Sequence, residues 1–157
     1  VLEILSLSSV QELAGDKEWI QLDQVVEQIL DQYKVLAHSR ALTIDNQIPA
    51  KPVYMDPAIL KLVLSNVISN AVKHSDAGGE IQLRLEEEGT HLAVENTSQE
   101  MVETAEMPMT ASRQKKKGGL GLFVVQHLLD HEELAYQFDK TAMGLRFRME
   151  LPKAPQE

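Results

Sequence analysis

DPAILKLVLSNVISNAVKHS, residues 56–75, is the stretch whose reading decides the fold. Asp56 offers an acceptor at a helix cap, and Pro57 a preset φ at the first helical position. Ile59, Leu60, Val63, Leu64, Val67, Ile68, Ala71 and Val72 follow at helical spacing, which predicts a core-facing helix with a broad apolar stripe. Asn66, Asn70 and Lys73 stand at i, i+4 and i+7 along one edge and project from the same side. Two carboxamides and an ammonium beside an apolar face suit a metal and a phosphate chain. A solvated polar edge is the plainer reading, and on this helix alone it leads.

Downstream, Asp76–Gly79 supplies turn formers that end the helix. Ile81, Leu83 and Leu85, then Leu92 and Val94, alternate on either side of Gly89 and predict a β-hairpin. Residues 97–118 lose all periodicity, and a stretch of about twenty such residues inside a domain points to a functional lid. Gly119–His131 reads as a helix burying Leu122, Val125, Leu128 and Leu129. Leu134–Asp139 and Leu145–Leu151 form a last pair of strands around Met143-Gly144. In the second of these, Leu145, Phe147, Met149 and Leu151 face one way and Arg146, Arg148 and Glu150 the other.

Upstream, Val53–Met55 is a short extended piece between Pro52 and Pro57, and Thr43–Ile48 a strand closed by Pro49. Asp23 is placed to cap a helix over 24–41 with Val25, Val26, Ile29, Leu30, Tyr33, Leu36 and Ala37 on one face. Glu18–Leu22, with the only tryptophan, is a strand candidate. Residues 1–15 read as the end of a helix and a linker broken at Gly15, and 153–157 as a tail. The sum is an α+β fold, a two-layer α/β sandwich with a mixed sheet of about five strands and three helices on one face.

The 157 residues are 43% hydrophobic and only 4% aromatic, so a single core must be built from Leu, Ile and Val. No apolar run is long enough to span a bilayer. The first residue is Val, which reads as a piece of a longer protein. With no cysteine, disulfides and thiolate metal sites are excluded. A net charge of -9 argues against a nucleic-acid partner. A nucleotide needs only a local basic cluster, and Arg113 with Lys115, Lys116 and Lys117 supplies one.

KKGGLGLFVV, residues 116–125, places glycines 118, 119 and 121 where a loop turns into a helix. Glycine lets a backbone approach a ligand, and first-turn N–H groups attract anions. Alone, the pattern reads first as a flexible hinge between lid and helix. Taken with LSNVISNAVKHS, it resembles the N box and second glycine box of sensor histidine kinases, whose catalytic domains share a superfamily with DNA gyrase, Hsp-ninety and MutL. The order of elements agrees across residues 16–152. The resemblance implies a Bergerat-type ATP-binding domain there, with 97–118 as its lid and residues 1–15 as the end of a dimerisation hairpin.

On this resemblance Asn70 supplies an oxygen to Mg2+ bridging the ATP phosphates, Asn66 lies near the phosphates and Lys73 contacts them. His74 stands where a tyrosine is common beside the nucleotide. Gly119, Leu120, Gly121 and Leu122 form the second phosphate-side element. Arg113 is the lid cation best able to grip a phosphate, through its fork. The ATP-hydrolysing members carry Glu at the position of Asn66, and an asparagine cannot act as a general base. The implied reaction is therefore transfer of the γ-phosphoryl to a protein histidine. His38, His74, His91, His127 and His131 lack the flanking residues of a phosphoacceptor, and His131 is expected to pack.

The first glycine box departs from the family pattern. VENTSQEM, residues 94–101, puts Asn96 at the adenine-binding aspartate and Ser98 and Glu100 at two glycines. Arg146 lies near a strand position where small hydroxyl residues are usual. These departures imply weakened nucleotide binding, and they favour an alternative reading as a pseudo-catalytic regulatory module. The implied partners are ATP with Mg2+, the chain's own dimerisation and phosphoacceptor domain, and a response regulator. The implied setting is the cytoplasmic side of a membrane-bound homodimeric sensor, with this piece by itself monomeric.

Overall fold

The apolar stripe of residues 56–75 is buried along one helix, and the remaining elements are laid around it. The computed structural model describes residues 16–98 and 120–153. Among these the elements are β1 (Glu18–Gln21), α1 (Leu22–Gln32), α2 (Lys34–Ser39), β2 (Thr43–Asn46), β3 (Pro52–Met55), α3 (Pro57–His74), β4 (Glu80–Glu86), β5 (His91–Thr97), α4 (Leu120–His131), β6 (Tyr136–Lys140) and β7 (Gly144–Glu150).

Five strands form one mixed sheet in the order β2-β4-β5-β7-β6. The β2–β4 pair is parallel and the other three pairs are antiparallel. Ile81 and Leu83 of β4, Leu92 and Val94 of β5, and Phe147 and Met149 of β7 share the core with the helices. Period-two alternation turns the intervening residues to the opposite face. There Arg84 pairs with Glu86 and Glu95, both at 2.9 Å, Arg146 with Asp139 at 3.0 Å, and Arg148 with Glu86 at 3.1 Å. One apolar face and one ion-paired face define the two layers. Burial works against the charge of Arg84, but hydrogen bonds and charge from Glu95 and Glu86 outweigh it and raise its pKa.

The expected strand pieces at the start of the domain lie apart from the main sheet. β1 and β3 pair with each other alone, antiparallel, with Trp19 opposite Tyr54 and their rings 5.4 Å apart. The expected helix over 24–41 is two helices, α1 and α2, which meet at Tyr33 with φ -104 and ψ 7. Its hydroxyl lies 3.5 Å from the Ser65 hydroxyl on α3. Val25, Ile29, Tyr33 and Ala37 keep their spacing across the break, which hides it from periodicity. Leu36, expected on the buried face, is exposed.

Asp23 does not cap α1, which begins one residue before it. Its Oδ1 accepts from the Lys51 N–H at 3.2 Å, and Leu22 N–H donates to the Lys51 carbonyl at 2.8 Å, fastening the loop before β3. In the β4–β5 turn Glu87, Glu88 and Gly89 all have positive φ, at 51, 58 and 90. Gly89 is the residue for which this conformation carries no Cβ penalty. His131 is exposed beside Glu132 at 3.2 Å, so the packing role expected for it is not borne out.

Candidate functional site

Helix α3 starts as its sequence dictates. Asp56, itself buried, accepts from the Ala58 N–H at 2.9 Å, and Pro57 occupies the first turn. All eight stripe residues from Ile59 to Val72 are buried. Along the adjoining edge Asn66 and Asn70 are half-buried and Lys73 is exposed. The Asn66 amide donates to the Leu62 carbonyl at 2.7 Å, so it is turned back along its own helix. No hydrogen-bond partner of the Asn70 side chain is found among the described residues. His74, the last helical residue, is half-buried.

The C-terminal end of α3 is fixed against the end of β5. The Asp76 N–H donates to the Thr97 carbonyl at 2.9 Å, and the Glu80 N–H to the Thr97 hydroxyl at 3.1 Å. Arg40 donates to the Ser75 carbonyl, setting a cation at the negative end of the helix dipole, and its own carbonyl accepts from Gly78 N–H at 2.9 Å. These bonds tie the exit of α3 to Thr97, the last residue of β5, between Asn96 and Ser98 in sequence. α4 packs along α3, burying Leu122, Val124, Val125, Leu128 and Leu129.

Asn96 shares the helix-facing side of β5 with Leu92 and Val94, by alternation. It is only 5% exposed, and its Nδ2 has no hydrogen-bond partner among the described residues. Ser98, two residues on, is wholly buried, so the structure accommodates a side chain where the resemblance expects glycine. Arg146 lies on the far face of the sheet, paired with Asp139 and, at 3.8 Å, with Glu86.

Asn66, Asn70, Lys73 and His74 thus lie on α3, Asn96 on β5 and Leu122 on α4, which packs against α3. Leu120 and Gly121 are the first described residues of α4. Arg113, Gly119, Glu100, Lys115, Lys116 and Lys117 lie outside the described residues, as do most of the expected lid, residues 1–15 and the end of the tail; Thr97, placed at the start of the lid, is the last residue of β5. Reading the chain as a sequence takes Gly79 and Gly144 as turn formers only. A Cβ on Gly79 would lie 2.9 Å from the Thr97 Cβ, so the glycine also permits the approach of the α3 exit to β5.

No cluster of three or more His, Cys, Asp or Glu side chains suited to a metal occurs among the described residues. No helix among them is long and apolar enough to cross a membrane. An open groove of about 880 Å³ between α1, α2 and β2, lined by Glu27, Asp31, Lys34 and His38 among others, holds none of the expected site residues.

Residues 55–155 match the model of the histidine kinase-, DNA gyrase B-, and HSP90-like ATPase family, and the chain belongs to that family. It is 32% identical to the sensor histidine protein kinase HK06 of Streptococcus pneumoniae over 158 residues, which cover 95% of this chain and 35% of HK06. The chain therefore spans about a third of that relative's length. The catalytic domain of histidine kinase ThkA superposes with a TM-score of 0.73 at 19% identity, covering 90% of this chain and 100% of that one. Full-length ShkA in complex with AMPPNP gives 0.70 at 20% identity, covering 96% of this chain and 34% of ShkA.

Proposed function

We propose that this chain is the ATP-binding catalytic domain of a sensor histidine kinase, which transfers the γ-phosphoryl of Mg-ATP to a histidine on a dimerisation domain. The observation that carries the reading is the Asn66, Asn70, Lys73 edge of α3, on a helix whose exit is fastened to the end of β5 by the Asp76–Thr97 hydrogen bond. Asn70 has a neutral oxygen free to serve a hard dication. A single protein oxygen suits Mg2+, which keeps water and phosphate oxygens for its other positions. Lys73, exposed and one turn on, offsets phosphate charge. Leu120 and Gly121 open α4, and the N–H groups of a helix's first turn favour anions.

Bound ATP would supply the phosphoryl group. The chain's own residues orient it and screen its charge. Asn66, whose amide bonds to Leu62, has no basic group with which to activate water, so phosphoryl transfer to an outside nucleophile is favoured over hydrolysis. Arg113 and Gly119 are assigned to the γ-phosphate side on the resemblance. The acceptor domain, response regulator, dimer and membrane-bound setting are assigned to the full protein on the same resemblance.

The second reading, a regulatory module without nucleotide, draws on Asn96 and the buried Ser98 in place of the usual Asp and Gly. Labelled ATP mixed with this chain and a separately prepared acceptor hairpin decides between the two. Acid-labile label on the hairpin, lost when its histidine is replaced, is the expected result. Absence of label despite measured ATP binding would overturn the kinase reading.

A further inference from the structure

We propose that the groove between α1, α2 and β2 docks an extended, lysine- or arginine-bearing segment of a partner protein, which adds to the free edge of β2 as a further strand. β2 stands first in the order β2-β4-β5-β7-β6, so only one of its edges is paired. Its pairing with β4 is framed by Thr43 N–H to the Gly79 carbonyl at 3.0 Å and Gln47 N–H to the Leu83 carbonyl at 2.8 Å. The main-chain groups of successive strand residues point to opposite edges, so those of Ile44 and Asn46 point away from β4. Neither residue makes a turn or loop main-chain bond among the described residues. Both line the groove, whose volume is about 880 Å³. Unpaired main-chain groups along an edge are a template for a further strand.

The groove is amphipathic. On its floor Leu30, Leu42 and Ile44 pack against the core and Ala37 is buried. On its α1 wall Gln24, Glu27, Gln28 and Asp31 stand at i, i+3, i+4 and i+7, all exposed. Neither Glu27 nor Asp31 is in an ion pair among the described residues. On the outer face of the sheet, by contrast, Glu86, Glu95 and Asp139 are each paired with an arginine. Two carboxylates against one ammonium, that of Lys34, leave the groove acidic. An extended segment pleats with period two. Alternate side chains therefore enter the groove, an apolar one over Leu42 and Ile44 and a cationic one at Glu27 and Asp31.

Charge also selects among occupants. Residues 1–15 hold Glu3 and Glu12 and no lysine or arginine. A second copy of a chain with net charge -9 would set acidic walls against each other. A cationic segment of another protein meets neither repulsion. The four residues of β2 offer about 13 Å of edge at about 3.3 Å per residue, so a short segment suffices.

The test is amide-resolved NMR titration and hydrogen exchange of this chain, with the capped peptide Thr-Lys-Thr-Val-Thr-Lys-Thr as probe. In the free chain the Ile44 and Asn46 amides are expected to exchange about tenfold or more faster than that of Asp45, and the peptide to shift and slow them. A counterpart with Glu for Lys is expected to bind about tenfold or more weakly at low salt. Glu27→Lys combined with Asp31→Lys is expected to remove or reverse that preference. Of two forms of the peptide N-methylated at odd or at even residues, the one blocked toward β2 is expected to bind about tenfold more weakly than the other. Equal affinity of the Lys and Glu peptides, equal affinity of the two methylated forms, or no shift at Ile44 and Asn46 overturns the proposal. Slow exchange at those two amides in the free chain also overturns it, because a second copy or another part of this chain, such as Lys115–Lys117, then fills the edge. If the double variant fails to melt cooperatively, the two methylated peptides on the unaltered chain decide. Every outcome is independent of nucleotide binding.

Discussion

A Cβ placed on Gly144 would lie 2.3 Å from the carbonyl oxygen of Asn96 and 2.4 Å from the amide nitrogen of Ser98. The first residue of β7 thus presses directly on the end of β5, where the candidate site residue sits. Backbone atoms cannot rotate away as a side chain can. Gly144→Ala is expected to destabilise by about 1–3 kcal/mol or more and to weaken nucleotide binding as the end of β5 shifts. Urea denaturation and calorimetry check both, and normal values in both would show the contact to be unimportant.

The helix start and the core around α3 should respond in order of burial. Asp56→Ala removes the acceptor for Ala58 and is expected to cost about 0.5–2 kcal/mol. Leu64→Ala opens a cavity at a fully buried position and is expected to cost about 2–5 kcal/mol. Val35, at 82% exposed on α2, should tolerate Ala within about 0.5 kcal/mol. Denaturation midpoints of the three variants test the ranking.

Alkaline pH should reveal Tyr136. Burial, then the charge of Asp130 and a hydrogen bond to it, raise its pKa above the ordinary value. The folded state then holds the phenolic proton more tightly than the unfolded chain. The contribution is complete below the unfolded pKa of about 10 and is lost as pH rises through the folded value. Tyr136→Phe has no such proton, so it should lose less stability than the unaltered chain between about pH 8 and about pH 11. Equal losses would contradict the assignment.

Much of this architecture was legible in the sequence because its period is strong. The α3 stripe, the β4–β5 hairpin and the alternation of β7 each follow from residues spaced by helix or strand geometry. What escaped is tertiary. The break at Tyr33 preserves the helical spacing on both sides. Asp23 has the chemistry of a cap but is used by Lys51. The separation of β1 and β3 from the main sheet depends on pairing that a short strand does not encode. At the candidate site, Asn66, Asn70 and Lys73 share one helix edge in the sequence, but that edge alone reads first as solvated surface. Alternation already turns Arg146 away from the core face, whereas the unmatched Nδ2 of Asn96 depends on packing that spacing does not encode.

The central claim is that α3 holds a metal and phosphates through Asn70. Titration of the unaltered chain and Asn70→Ala with an ATP analogue, with and without Mg2+, tests it most directly. Alanine is the better helix former by up to about 0.7 kcal/mol, so the variant should melt no lower than the unaltered chain. Binding strengthened by Mg2+ in the unaltered chain, with that strengthening lost in the variant, is the predicted result. Equal strengthening in both, or no binding by the unaltered chain under either condition, would contradict the claim.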